Sequence, residues 1–367
     1  MLLDEPTNHI DLAARELLVR ALHDFRGLGI VVSHDRALLD GLTSVTLRLH
    51  RQSLRVHPGG YSAAKAQWEL DERHAQDEHD KAKERADSAR RILTDARRNL
   101  DSAERSSSLR HVNPRDHDAK SGLRKGKMRA AKARLGRQVE VARKKAERAD
   151  GEIPTIERDK SLGRSIFVGY ERARAPQLAS LSGVTLRAGE RELLRDLRVV
   201  VRRDDRIAIR GDNGAGKTTL LRALLDASRV PSDRLFYLPQ DIDDREGERL
   251  LGEVTRLPPH ERGRVLSLVA ALGVDPDRLL ASRSPSPGEA RKLAIAWGLG
   301  RHVWGALLDE PTNHLDLPSV ERLEQALAAY PGALVLVTHD DELARACTRT
   351  RWNLENARIT VHASHDG

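Results

Sequence analysis

The sequence predicts an α/β chain with a mainly parallel sheet, interrupted by a long antiparallel helical hairpin. Three observations carry that expectation. Leu3-Asp4-Glu5-Pro6-Thr7-Asn8-His9-Ile10-Asp11-Leu12 returns 305 positions later as Leu308-Asp309-Glu310-Pro311-Thr312-Asn313-His314-Leu315-Asp316-Leu317. The same offset links Val32-Ser33-His34-Asp35 to Val337-Thr338-His339-Asp340, as two copies of one folded unit require. Between the copies lie an alanine-rich heptad seam and a glycine-rich run set between a strand pattern and a helix pattern.

Composition narrows the class. A chain of 367 residues has room for two or three domains. Its net charge of +8 suits a polyanionic partner, though charge alone speaks to association and not to fold. The single cysteine, Cys347, excludes an internal disulfide and fits a reducing compartment. No run approaches the roughly 20 apolar residues of a membrane span. Met1-Leu2-Leu3 passes directly into Asp4-Glu5, so no signal peptide and no membrane partner are expected, and the location expected is cytoplasmic.

Residues 1–60 read as the closing part of an α/β domain. Leu12 to Phe25 has helical periodicity, Leu28 to Val32 is a buried-strand pattern, and strand-like runs follow at Val45–Leu49 and Ser53–Val56. This stretch is too small to bury a doubly wound core alone, so it must lean on something else.

Residues 61–160 form the hairpin. Ala82, Ala86, Ala89, Leu93, Ala96, Leu100 and Ala103 step by four and three, and Met128, Ala131, Leu135, Val139, Ala142, Ala146 and Ala149 repeat the pattern. A polar stretch from Ser106 to Pro114 breaks the helix at the tip, and Pro154 closes the second arm. Between Arg105 and Arg148 fifteen Lys/Arg face four Asp/Glu, a local net of +11. By itself such a run reads first as a solvated face; the sharper reading is phosphate contact with a structured RNA, since no aromatics are interleaved for base stacking.

Residues 165–367 hold the complete α/β domain. Gly211-Asp212-Asn213-Gly214-Ala215-Gly216-Lys217-Thr218, followed by Thr219, is a complete P-loop between the strand Asp205–Ile209 and the helix Thr218–Leu225. Its glycines turn backbone N–H groups toward phosphates, Lys217 reaches the β- and γ-phosphates, and Thr218 ligates Mg²⁺. Strands are also expected at Gly305–Leu308 and Ala333–Val337. The first delivers Asp309 and Glu310 to its carboxyl end, where ligands bind in open α/β sheets. Asp309 suits Mg²⁺ and Glu310 suits the attacking water; the bland alternative is that both acids cap the next helix. Gln240 is a candidate link between Mg²⁺ and that water, and His339 a candidate contact to the γ-phosphate or the water.

In order and spacing, the P-loop, Gln240, Ser286-Pro287-Gly288-Glu289, the Asp309-Glu310 string and Thr338-His339-Asp340 resemble an ATP-binding cassette. Two copies of the Asp-Glu-Pro-Thr-Asn-His string around a charged helical linker resemble the ABC-F class in particular. That resemblance implies ATP and Mg²⁺ as cofactors, ATP hydrolysis, and a ribosome-associated partner. The hairpin would meet rRNA or tRNA, in a general translation factor or in antibiotic-resistance ribosomal protection. It also implies a nucleotide sandwiched between one cassette's P-loop and the other's signature loop, with Ser286, Gly288 and Glu289 acting in trans.

Set against the family pattern, the first copy starts at its Asp4-Glu5 motif, as a chain truncated at the N-terminus would. Asp4, Glu5 and His34 are therefore expected to be a degenerate site without a phosphate cradle. Hydrolysis is expected to be impaired unless two second cassettes pair head to tail as a homodimer. Pro287 replaces a residue that could donate an N–H, and Ala188 stands where the family often places an aromatic on adenine. Two alternatives stay open: an ATP-binding subunit of a membrane transporter, and a non-catalytic fragment that binds ATP or RNA.

Overall fold

The structure, a computed structural model, describes residues 1–7, 12–50, 53–106, 122–154 and 167–363. It divides into two compact units, Met1–Ser44 with Asp159–Gly367, and Val45–Arg158. The first-copy motif positions 8–11 and the hairpin tip, 107–121, lie outside the described residues, as does the side chain of Met128.

The chain begins with β1 (Leu2–Asp4), α1 (Leu12–His23), β2 (Ile30–Val32) and α2 (Arg36–Leu42). β1 and β2 pair in parallel, Leu2 opposite Ile30 and Asp4 opposite Val32. Asp35 caps α2 by accepting from the Leu38 N–H, and Arg15 grips the same carboxylate with Nε at 2.5 Å and Nη2 at 2.8 Å.

The second unit opens with an antiparallel ribbon, β3 (Val45–His50) and β4 (Ser53–Pro58), and continues into α3 (Tyr61–Ser106) and α4 (Gly122–Gly151). Trp68 ties α3 to the ribbon. It meets the ring edges of His57 at 5.5 Å and Tyr61 at 5.6 Å, and the Arg48 guanidinium lies 4.5 Å from its ring. With 46 residues, α3 is about 70 Å long. The arms run antiparallel, since Arg90 pairs with Asp150 and Glu104 with Lys132. Ala86, Ala89, Ala142 and Ala146 are buried along the seam, where small side chains let the backbones approach. Leu135 and Val139 are half-buried, but Ala131, expected on the seam, is exposed.

The complete α/β domain starts with the antiparallel ribbon β5 (Gln177–Ala188) and β6 (Arg191–Arg202), then β7 (Arg206–Gly211) and α5 (Lys217–Asp226). After β8 (Leu235–Leu238) come four helices, α6 (Asp244–Arg256), α7 (Pro259–Ala271), α8 (Pro276–Ala281) and α9 (Pro287–Gly300). The chain then alternates β9 (Gly305–Asp309), α10 (Leu317–Ala329), β10 (Ala333–Val337), α11 (Asp341–Cys347), β11 (Thr350–Glu355) and β12 (Arg358–Ala363). The sheet order is β12-β11-β7-β10-β9-β8, parallel throughout except β12. β9 and β10 are apolar runs buried at every position, as strands covered on both faces must be. Leu308 and Leu336 face a core with α6, α7, α9 and α10, while Leu307, Val335 and Val337 face one with α5 and the β5–β6 ribbon. From β7 the chain crosses over to β8 and returns inward, so the switch in strand order lies between β7 and β10, above their carboxyl ends. Among the described residues no helix is long and apolar enough to cross a membrane.

Candidate functional site

The P-loop follows β7 at that switch. Gly214 (φ +78°) and Gly216 (φ +99°) take left-handed backbone that glycine adopts without penalty, and no side chain caps the start of α5. Its leading N–H groups carry the positive end of the helix, where an anion is favoured. Gly211 is required by space, because a Cβ there would lie 2.8 Å from the Leu354 carbonyl. Lys217 Nζ donates to the carbonyls of Gly211 at 2.7 Å and Asp212 at 3.1 Å, which suspends its charge over the loop.

β9 brings the carboxylates to the same place. The Thr218 hydroxyl donates to Asp309 Oδ2 at 2.6 Å, joining the two oxygens expected to hold Mg²⁺. Such a hydroxyl–carboxylate pair matches the oxygen donors a hard cation selects. Glu310 sits just past the strand in left-handed backbone (φ +46°), an uncommon conformation for a non-glycine residue, found often at functional sites. Its Oε2 accepts from the His339 N–H at 3.2 Å. Its Oε1 lies 3.4 Å from His339 Nε2 and is a buried atom accepting no hydrogen bond, as suits a group that would orient water. Burial pushes the Glu310 carboxyl up to about 7, opposed by the His339 N–H and by Lys217. Burial also raises Asp309, opposed by the Thr218 hydroxyl and Lys217.

These groups share a cleft of about 620 Å³, a size suited to a small-molecule ligand. Asn213, Gly214, Gly216, Lys217, Thr218, Thr219, Gln240, Asp309, Glu310 and His339 all line it, whereas Gly211, Asp212 and Ala215 shape the loop without lining it. Ala188 lines the cleft too, with Arg191 and Leu193 beside it, neither of which the motifs singled out.

The signature residues Ser286, Gly288 and Glu289 do not line this cleft. They form the start of α9, where Ser286 Oγ and the Glu289 carboxylate cap each other's backbone N–H groups in a capping box. Hydrogen bonds from the Ser286 N–H and hydroxyl hold the Glu289 carboxyl below its usual range. A Cβ on Gly288 would lie 2.8 Å from the His314 carbonyl, so glycine allows the close approach.

The first copy has an unexpected position. Glu5 and His34 line the same cleft as the P-loop, together with Thr7, Arg15, Asp35 and Arg36, while Asp4 is exposed and does not. Met1–Ser44 therefore leans on the complete α/β domain, with Arg36 Nη1 donating to Glu342 at 2.6 Å and Glu324 at 3.1 Å. A second residue the motifs missed is Arg291, buried under the carboxyl ends of β8 and β9. Burial lowers its guanidinium to about 10, which leaves it charged at neutral pH. Its sequence signal was an arginine on the apolar face of α9, one turn before the fully buried Ile295.

Residues 194–313 match the family model described as ABC transporter. Three curated relatives each align with 98% of the chain. These are ribosome protection protein VmlR of Bacillus subtilis (28% identity), tylosin resistance ATP-binding protein TlrC of Streptomyces fradiae (31%) and erythromycin resistance ATP-binding protein MsrA of Staphylococcus epidermidis (26%). The chain spans 65% of the length of VmlR and of TlrC, and 74% of MsrA. Among solved structures, the ATP-binding subunit of an ABC transporter aligns with 51% of the chain and covers 90% of its own, at 21% identity and a TM-score of 0.42. With a P-loop, paired carboxylates and a parallel sheet in place, and relatives along nearly all its length, the chain resembles the ABC-F class of ATP-binding cassette proteins.

Proposed function

We propose that this cassette binds and hydrolyses Mg²⁺-ATP in the cytoplasm, and that its nucleotide state governs docking of the basic hairpin on ribosomal RNA or tRNA. The carrying observation is the Thr218–Asp309 bond beside the buried Glu310, under the suspended Lys217. In this reading Thr218, Asp309 and Gln240 hold Mg²⁺, which supplies charge neutralisation at the phosphates. Glu310 orients and deprotonates water, a task for which a carboxyl near 7 is well matched at neutral pH. His339 fixes the Glu310 carboxylate through its backbone N–H. Because Ser286 and Gly288 lie outside the cleft, that role falls to a signature loop from elsewhere, a second copy paired head to tail being one source. Turnover by this chain alone is accordingly expected to be slow.

The ribosomal part rests on two supports: exposed Arg134, Arg137, Lys144 and Lys145 along α4, and relatives named for ribosome protection, tylosin resistance and erythromycin resistance. Pelleting of Glu310→Gln with ribosomes at moderate salt, in ATP and in ADP, tests it. ATP-dependent pelleting is expected. Equal pelleting in both nucleotides would reduce the hairpin to a basic surface that adheres to any RNA.

A further inference from the structure

Arg291 is among the largest fully buried side chains of the described residues, and nothing in the proposed reaction uses it. It projects from the second turn of α9, the helix whose first turn is the signature segment Ser286–Glu289. Nη1 donates to the Gln240 carbonyl at 3.0 Å, and Nη2 to the same carbonyl at 2.7 Å and to Pro239 at 3.3 Å. On the other side Nη2 reaches the carbonyls of Glu310 at 3.0 Å and Asp309 at 3.5 Å. β8 and β9 are neighbouring parallel strands, with Leu238 beside Leu308, and these four residues are where both chains leave the sheet. Ladder bonding ends there, and strand-end carbonyls buried without donors are costly. One planar fork satisfies both exits, a geometry that a lysine ammonium cannot reproduce.

We infer that Arg291 is a positioning residue that holds the Gln240 loop and the Glu310 turn as one rigid piece and fastens that piece to the signature helix. The inference rests on the nucleotide reading of the cleft and adds a coupling to it. Gln240 and Glu310 line the cleft of this cassette, while exposed Ser286 and half-buried Gly288 stand outside it, where another cassette would engage them. A shift of α9 on that engagement moves both cleft residues together, because they share its guanidinium. The element is a packed helix pivoting on a buried fork, a small displacement carried by rigid contacts.

Hydrogen exchange resolved by segment tests it on the full chain. In Arg291→Lys and Arg291→Gln, exchange after β8 (239–242) and after β9 (310–313) should rise together by about tenfold, with 207–221 within about twofold of native. A rise in one segment only, no rise, or a uniform rise across the cassette would overturn the inference. The native chain gives an arm that needs no variant: Mg²⁺-ATP should protect 239–242 and 310–313 in concert, and protection of one without the other counts against it. Failure of the native chain to bind ATP at all would sink the nucleotide reading and leave the exchange of the variants to decide the role of Arg291.

Discussion

The two copies of the repeat have nearly the same local geometry and very different surroundings. Glu5 and Glu310 both sit in left-handed backbone, at φ +44° and +46°. Each donates its N–H back to the strand, Glu5 to Val32 at 2.8 Å and Glu310 to Val337 at 2.9 Å. Each accepts from the N–H of its histidine, at 3.3 Å for His34 and 3.2 Å for His339. The sheet beneath them differs. Leu2 and Val32 are 78% and 53% exposed, whereas their counterparts Leu307 and Val337 are 5% and 1% exposed. The motif thus writes its own turn through short-range bonds, while burial comes from neighbouring elements that, among the described residues, pack only on the strands of the second copy: β7 and α5.

The comparison breaks most sharply on hydrolysis. Glu310→Gln should lower phosphate release by at least about 100-fold, the usual scale for losing a general base. Glu5→Gln, in the same turn but outside the Thr218–Asp309 pair, should change it less than twofold. A similar loss in both would mean that the first copy takes part in the reaction through the shared cleft.

Stability should separate the copies next. Leu307→Ala removes a side chain packed between α5 and the sheet, and large-to-small changes at such sites cost roughly 2–5 kcal/mol. Leu2→Ala, at a 78% exposed position, should stay within about 0.5 kcal/mol in the same urea titration. Glu310 adds a pH-dependent difference. Its carboxyl is raised by burial to about 7, so the folded state holds a proton that the unfolded state releases near 4.5. The stabilising contribution is whole below 4.5 and is lost as pH rises through about 7. Glu310→Gln should therefore match the native chain near pH 4 and exceed it near pH 8, by at most about 3 kcal/mol. A gain that is equal at both pH values would assign it to packing instead.

Much of this site could be read from the residues, for a physical reason. A P-loop needs glycines at fixed offsets, a buried parallel strand needs an apolar run, and a coiled coil needs its seam, so Gly214, Leu307 and Ala86 each announce their place. Arg291 and Arg36 did not. Each is an arginine near a helix start, and burial of each depends on chain segments far away: β8 and β9 for one, α10 and α11 for the other. The same holds for Ala131, whose heptad position promised burial on the seam but which is exposed.

Arg36 supplies the smallest and most specific test of the comparison. At the position matching Arg36 the second copy has Asp341, which pairs with Arg210 inside its own cassette at 2.6 Å. Arg36 instead crosses to Glu324 and Glu342 of the second cassette, with its side chain only 11% exposed. The copies thus carry opposite charge at equivalent positions, which favours their pairing with one another over pairing of like with like. Glu342 is 43% exposed, so solvent screens much of the attraction, and Arg36→Ala should loosen Met1–Ser44 by only about 1 kcal/mol. Charge reversal in Arg36→Glu should do more, since Asp340 and Glu321 add to the acidic field around it. Hydrogen exchange in α2 reports both, and the difference from native should shrink between low and high salt. Exchange that is indifferent to salt would give the attachment to apolar packing, with the buried Leu38 as its anchor.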